Sequence, residues 1–501
     1  MKKKLLLLML AMTIALSGCT GGKSKENSSS GDKKKSIVVG IQQDLDSLDP
    51  HLAVAAGTKE VLFNVFEGLV KPDVDGNLVP AVASSYEVSK DGKKYTFKLR
   101  SGVKFHNGAD VTAEDVKYSI ERNAGKLDEE LLISRFAIID SVNIIDDSTV
   151  EINLTEPDTE FIGYLTVAII PKDYEKQETE PVGCGPYKFV SYKIDESFNV
   201  ERFDDYYGDK PDIDSVTFKI VSNTDSVLLD LQAGSIDVYP YLTDDQAKEL
   251  SSGFNIETGN MNLVQGLFLN NSNEYFSNKL VRQAVYYATD RSEIQSIVSG
   301  GKGQIIGSFM FHGFGKYFNE EVVNMYDYNT EKAKELLKEA GYEDGFEFTI
   351  KIPNNYQFHI STGEVIVEQL KKVGIKANIE LIDWNEWLED VYAGRKFDAT
   401  IIGFDSVLAP NDLMRRYVSD NDKDMCNYKN EEYDKCYKKA LATTDEDEKV
   451  SLYKQMQKIL AEDAASVFIQ DPPLLVAVNK KISGYKFYPV YVQDIASLKM
   501  D

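Results

Sequence analysis

The stretch "GEVIVEQLKKVGIKANIELIDWNEW", residues 363–387, carries the alternation from which the fold class is read. "GEVIVEQLKKVGI" reads as a helix, "KANIELID" as a strand, and a further helix follows that carries Trp384 or Trp387. Upstream, "SNKLVRQAVYYATD" places Val281, Ala284, Val285 and Ala288 on one helical stripe. "NTEKAKELLKEAGY" does the same with Ala333, Leu336, Leu337 and Ala340 before Gly341 ends the helix. Downstream lies "FDATIIGFDSVLAPND", residues 397–412, in which Ala399 to Gly403 reads as a buried strand. Strand and helix in alternation predict an α/β body with a mostly parallel sheet. A strand this apolar belongs in a sheet covered on both faces, so its exit at Phe404, Asp405 and Ser406 falls where α/β proteins place ligands.

The earlier half has another rhythm. "KSIVVGI" is a β-branched strand, "SLDP" a turn, and "DVDGN" and "SKDGKKYTFKLR" are hairpin signals with Asp-Gly at the turn. Tyr95, Phe97 and Leu99 alternate with Thr96, Lys98 and Arg100, which buries one face and wets the other. Thr112 and Asp115 form a capping-box pattern ahead of Val116 and Ile120, and "STVEINL" alternates again. No internal repeat of fixed period is visible.

The first nineteen residues, "MKKKLLLLMLAMTIALSGC", join three lysines to a short apolar run, the pattern of a secretory signal. Their end, "LSGC", resembles the lipobox of bacterial lipoproteins, which implies lipidation at Cys19 and an extracytoplasmic body. Residues 20–36 contain no apolar side chain and read as a flexible tether. With these basic segments set aside, the formal −25 of the chain becomes roughly −31 on the remainder, which speaks against a nucleic-acid partner. About 465 residues remain, enough for two or three domains. Of the other cysteines, Cys426 and Cys436 lie ten apart and either pair or remain free alongside Cys184.

No local catalytic motif emerges. The four histidines, His51, His106, His312 and His359, are too far apart for a metal motif such as H-E-x-x-H. "SGGKGQ" lacks the glycine spacing of a phosphate loop, and no G-x-S-x-G elbow appears. The residues call for no cofactor and no resident metal. Arg135, in "LISRF", is a candidate cleft cation, although a solvated helix face is its alternative setting.

Several blocks resemble the family of extracellular solute-binding proteins that serve ABC importers of peptides and nickel, family 5. The resemblance starts at "SLDPH" and continues through "LFNVFEGLVKPDVDGNLVPAVASSYEVSKDGKKYTFKLRSGVKFHNGADVTAEDVKYSIER". "PVGCGPYKFVSY" resembles the family's "GTGPY" turn, with Cys184 in place of threonine. "VRQAVYYATDRSEI", "YNTEKAKELLKEAGY" and "QLKKVGIKANIELIDWNEW" resemble blocks of the carboxy-terminal lobe. The resemblance implies an α/β, two-lobed Venus-flytrap fold of the periplasmic-binding-protein kind (class II-like), with an additional domain inserted in lobe one. Lobe one would comprise 37–66, 183–262 and 470–501, the inserted domain 67–182, and lobe two 263–469.

Two walls of a ligand cleft follow from the resemblance. Val54, Ala55, Ala56 and Gly57 resemble the loop whose backbone lines the peptide. Gly403, Phe404, Asp405 and Ser406 resemble the strand exit where peptide binders carry an aspartate for the α-amine; spacing to Pro410 points to Ser406, and the nearest acid is Asp405. Nickel-binding members carry a similar loop, with a histidine where Asn411 stands here. Dipeptide binders place an arginine in the segment "IPNNYQFHISTG", whereas Asn354, Asn355, Tyr356 and His359 offer neutral hydrogen bonds. Asp405 has helix capping as its alternative role, the asparagines a turn, and Tyr356 and Trp384 a place in the core or rim.

The function expected is therefore that of a non-enzymatic, monomeric, lipid-anchored receptor on the outer face of the membrane. It would hand a peptide, longer than a zwitterionic dipeptide, to an ABC permease. The alternatives are a receptor for a nickel chelate or other small solute, a peptide sensor without import, and a secreted lipid-anchored hydrolase.

Overall fold

The chain's polar–apolar alternation produces three principal sheets, each with its own core. The computed structural model describes residues 34–127, 130–221, 226–250, 253–354, 356–419, 421 and 423–501. The first sheet has seven strands in the order 254–260, 473–479, 238–239, 36–41, 215–220, 197–202, 187–193, so it is assembled from the start, middle and end of the chain. Ser36–Ile41 runs parallel to both its neighbours and sets Val39 opposite Phe218, while the remaining pairs are antiparallel.

The second sheet is antiparallel, in the order 83–88, 94–99, 149–154, 139–146. Tyr95 and Phe97 are fully buried, as the alternation requires, and Gly76 and Gly92 take the positive φ that their hairpin turns need. Ala113–Asn123 covers this sheet as a helix, capped by the reciprocal Thr112–Asp115 box, with Val116 and Ile120 buried.

The third sheet has six strands in the order 304–305, 467–471, 264–269, 399–404, 347–353, 376–382. Parallel pairing is confined to Glu347–Pro353 and its two neighbours; the other pairs are antiparallel, so the sheet is mixed rather than mostly parallel. The reason is topological. Helix crossovers join 347–353, 376–382 and 399–404, whereas 264–269 enters directly from the first sheet and 467–471 leaves directly into it, each by a short link. The helix Gln357–Lys371 begins six residues before Gly363, and a Cβ on Gly363 would stand 2.6 Å from Ile352 Cδ1, so the missing side chain lets the helix settle on the sheet.

Two links join the lobes built on the first and third sheets, residues 261–263 and 472. They hold each other: the Met261 N–H donates to Pro472 O (2.8 Å) and the Leu263 N–H to Asp471 Oδ1 (3.1 Å). Among the described residues no helix is long and apolar enough to cross a membrane.

Candidate ligand-binding site

The strand Ala399–Phe404 delivers the candidate site from lobe two. Phe404 turns into the core, edge-on to Phe268 (5.2 Å) and Phe309 (5.6 Å), with the Arg416 guanidinium over its ring at 4.6 Å. Gly403 is half-buried, and a Cβ there would meet Leu263 Cδ1 at 3.1 Å. The next side chain, Asp405, faces solvent and makes no hydrogen bond or ion pair among the described residues. Ser406 is buried, its hydroxyl donating to Ala409 O at 3.3 Å. The following helix, Pro410–Met414, has Ala409 at its N-cap and no side-chain cap, so Asp405 is not spent on capping.

Asn354 is an exposed turn residue whose N–H donates to Ile382 O (2.9 Å). Tyr356 stands edge-on to Trp384 (5.5 Å) and His359 (5.7 Å), and Trp384 stacks on the buried Trp387 at 5.2 Å. His359 is buried in a polar chain beneath the cleft: Gln265 Nε2 lies 3.0 Å from its Nδ1, and Gln265 Oε1 accepts from Gln470 at 3.0 Å. Burial pushes the imidazole down to about 3, so it is neutral and committed to the protein.

Lobe one contributes the loop at 54–57. The N–H groups of Val54 and Ala55 donate to Asp46 Oδ2 (2.8 and 3.0 Å), which fixes the loop and removes two amides from the set available to a ligand. Val54 is 73 % exposed; Ala56 and Gly57 open the short helix Ala56–Leu62.

One turn along that helix is a residue the sequence reading missed. Glu60 is buried and accepts a hydrogen bond from the Tyr241 hydroxyl. Tyr241 holds a positive φ of 67°, strained for a bulky residue, and stacks on Tyr491 at 6.5 Å. Burial pushes the Glu60 carboxyl up to about 7 against the pull of the Tyr241 and Gln493 hydrogen bonds, and the negative charge of Asp405 adds to the rise. The Tyr491 hydroxyl is likewise pushed far up by burial, by Asp405 and by Glu60. Glu60, Tyr241 and Tyr491 line one small cavity together. The signal that would have found this wall is "YKFYPVYV", three tyrosines at three-residue spacing, Tyr485, Tyr488 and Tyr491.

Two other expectations resolve differently. Arg135 is no cleft cation: it sits in the inserted segment and pairs with Asp158 (2.7 Å) and Glu156 (3.0 Å). Cys426 and Cys436 do not pair. The Cys426 thiol is buried 3.9 Å from the hydroxyls of Tyr417 and Ser466, while Cys436 is half-buried on the helix Glu431–Ala442, and both are free. Cys19 and Asn355 lie outside the described residues. Among the described residues no three His, Cys, Asp or Glu side chains are grouped to hold a metal.

Two mixed α/β lobes joined by paired links, with an unspent acid and a wall of tyrosines between them, define a two-lobed binding protein. The family model "Bacterial extracellular solute-binding proteins, family 5 Middle" matches residues 77–424, and the chain belongs to that family. It is 28% identical over 520 residues to the oligopeptide-binding protein AppA of Bacillus subtilis, covering 97% of this chain and 96% of that one. It is 29% identical over 484 residues to the glutathione-binding protein GsiB of Pectobacterium atrosepticum, covering 91% and 92%. The periplasmic binding protein DppA of Helicobacter pylori, solved with the peptide STSA, superposes with a TM-score of 0.83 at 26% identity, covering 93% of this chain and 98% of that one.

Proposed function

We propose that this protein is the extracytoplasmic receptor of an ABC importer, that it captures peptides between its lobes, and that it is anchored by lipid on Cys19. The observation that carries the reading is Asp405: an exposed carboxylate without a partner, at the carboxyl end of a buried strand. A peptide's free α-ammonium supplies the partner, and charge-assisted hydrogen bonds of this kind are the strong ones. The relatives named for oligopeptide and glutathione, and the DppA complex with STSA, support a peptide class of ligand. The neutral groups Asn354, Tyr356 and Trp384 along the rim suit a ligand held by its backbone.

The bodies that move in this reading are 37–66 with 183–262 and 470–501, the insertion 67–182, and 263–469, the chain acting as a monomer. Capture works because a ligand touching both lobes has differential affinity for the closed form and shifts the population toward it. The closed form then docks on the permease. Native purification followed by mass spectrometry of the bound fraction tests the reading. Peptides of mixed sequence are the expected finding; a nickel chelate or another non-peptide solute, with no peptide, would overturn it.

A further inference from the structure

We propose that residues 158–164 of the insertion are a latch on lobe two: they seat against the loop carrying Asp405 when the lobes shut, part from it when the lobes open, and so set how long a captured peptide is kept. This rests on the reading of the protein as a receptor whose lobes close on a ligand, and adds the element that holds them closed.

The insertion meets the two lobes in different ways. Towards lobe one it is continuous with the chain at both ends, its Ala168 and Ile170 lie in that lobe's apolar core, and the His106 N–H donates to Gly183 O at 2.9 Å. Towards lobe two it has no covalent link, and the contact is a row of polar bonds. The Thr159 N–H donates to Leu441 O (3.2 Å) and the Thr159 hydroxyl to Thr443 O (3.3 Å). Glu160 Oε2 accepts from the Asn411 N–H (2.9 Å), the Tyr164 hydroxyl donates to Asn411 Oδ1 (3.2 Å), and Arg415 Nη1 donates to Ser134 Oγ (3.4 Å). Among the described residues Ala409 is the one apolar side chain that lobe two adds to the insertion's core. An apolar seam would lose its burial on parting and gain nothing, whereas each of these donors and acceptors finds water instead. Domain contacts of this polar kind permit relative motion.

The insertion's side of the seam is rigid. Asp158 is fully buried, takes the Arg135 Nε at 2.7 Å and accepts the Glu160 N–H at 2.9 Å, which fixes the segment that Glu160 presents to lobe two. The other side is strained. Leu408 holds a positive φ of 61°, and Gly163 brings its backbone so near that a Cβ there would lie 3.1 Å from both Val407 O and Ala409 Cβ. Strain of this sort persists where the surroundings impose it. Leu408 stands three residues after Asp405 and three before Asn411, so parting of the seam frees the backbone that carries the anchor. A ligand that fixes the anchor favours the seated seam in return.

Amide hydrogen exchange on the wild-type protein, read by mass spectrometry on overlapping fragments, tests this without a substitution. In the free protein the Thr159 and Asn411 amides should exchange about tenfold faster than the His106 amide, although Asn411 is 0 % exposed. A pool of synthetic tetrapeptides should slow the first two about tenfold and leave the third unchanged. Seam amides as slow as His106 in the free protein, or still fast when calorimetry shows the pool bound, would overturn the latch and leave the peptide reading intact. A pool that gives no heat overturns the peptide reading instead, and exchange in the free protein then decides whether the seam opens. As a second measurement, Gly163→Cys with Ala409→Cys in a Cys436→Ser background places two Cβ atoms 3.1 Å apart across the seam, slightly under the span of a disulfide. The oxidised protein should release bound peptide about tenfold more slowly than the reduced one, and equal rates would count against any opening of the seam.

Discussion

The N–H of Asn411 donates to the Glu160 carboxylate at 2.9 Å, tying the loop that carries Asp405 to the inserted domain. The same residue accepts from the Tyr164 hydroxyl (3.2 Å), and its Nδ2 stands 3.4 Å from both oxygens of Asp158. Ala409 packs into the inserted domain's core, against which Gly163 brings its backbone without a side chain: a Cβ there would meet Ala409 Cβ at 3.1 Å. The position where nickel-binding relatives are expected to carry histidine is therefore occupied here by a structural residue.

Replacing Asn411 by Ala removes three polar contacts inside a buried interface and leaves Tyr164 without its acceptor. A loss of about 1–3 kcal/mol in stability is expected from thermal or denaturant unfolding. Because the turn 405–411 is held at this end, peptide affinity should fall as well. Weakened stability with unaltered affinity would mean that the backbone bond to Glu160, which the substitution leaves in place, holds the loop's shape without the side-chain contacts.

Asp405→Ala should behave in the opposite way. Its carboxylate makes no bond in the protein, so the melting temperature should stay put, while affinity for a free-amine peptide should weaken by about 1.5–3 kcal/mol. An N-acetylated peptide should lose almost nothing. Isothermal calorimetry on the two peptides separates these outcomes.

The turn "PVGCGPY" predicts a third result. A Cβ on Gly183 would lie 2.1 Å from Val65 O and one on Gly185 2.7 Å from the Val65 carbonyl carbon, while the Gly185 N–H donates to Val65 O at 2.9 Å. Backbone meets backbone here with no room for any side chain. Gly183→Ala should cost about 2–4 kcal/mol and lower the yield of folded protein, since the obstacle is rigid main chain rather than a movable side chain.

The thiols give a chemical check. Cys184 and Cys426 are buried, and burial raises both above the ordinary range, whereas Cys436 is partly accessible. A thiol reagent should modify Cys436 first in the native protein and the other two only on unfolding. Reductant should leave the melting temperature unchanged.

How far the sequence could be read depends on how local the determining physics is. The hairpins at Gly76 and Gly92, the Thr112 cap and the stripes of Val281 and Ala333 are written within a few residues, and the structure reproduces them. The pairing of 264–269 with 399–404 and 467–471 joins distant segments, and the helical rhythm nearby suggested parallel strands that the links at 261–263 and 472 do not permit. The site divides similarly. Asp405 stood out because it follows an apolar strand directly, but Glu60 owes its raised carboxyl first to burial, and its partner Tyr241 stands 181 positions away. His359 looked available in the sequence because nothing near it reveals that Gln265 would bury and bind it.

Buried acids set the last prediction, the response of stability to pH. Burial pushes Glu60, Glu160 and Asp424 up to about 7 and Asp471 up to about 8. An acid whose folded-state value lies above its unfolded one favours the folded state when protonated, so its contribution is lost as pH rises through the window up to the folded value. The buried imidazoles oppose this: burial holds His51 and His106 near 4 and His359 near 3, so their penalty appears as pH falls below the ordinary histidine value. Between pH 4.5 and 6.5 the two trends work against each other, and above 6.5 the acids act alone. Stability should therefore decline from pH 6.5 to 8.0, by on the order of 1 kcal/mol per acid. Glu160→Gln should flatten that decline, because a neutral amide in its place has no proton to lose. Thermal melts of both proteins at pH 6.5, 7.2 and 8.0 give the comparison. A wild-type melting temperature that rises across this range would mean that these carboxyls are ionised in the folded protein and paired there, Glu160 with the buried Lys449 first among them.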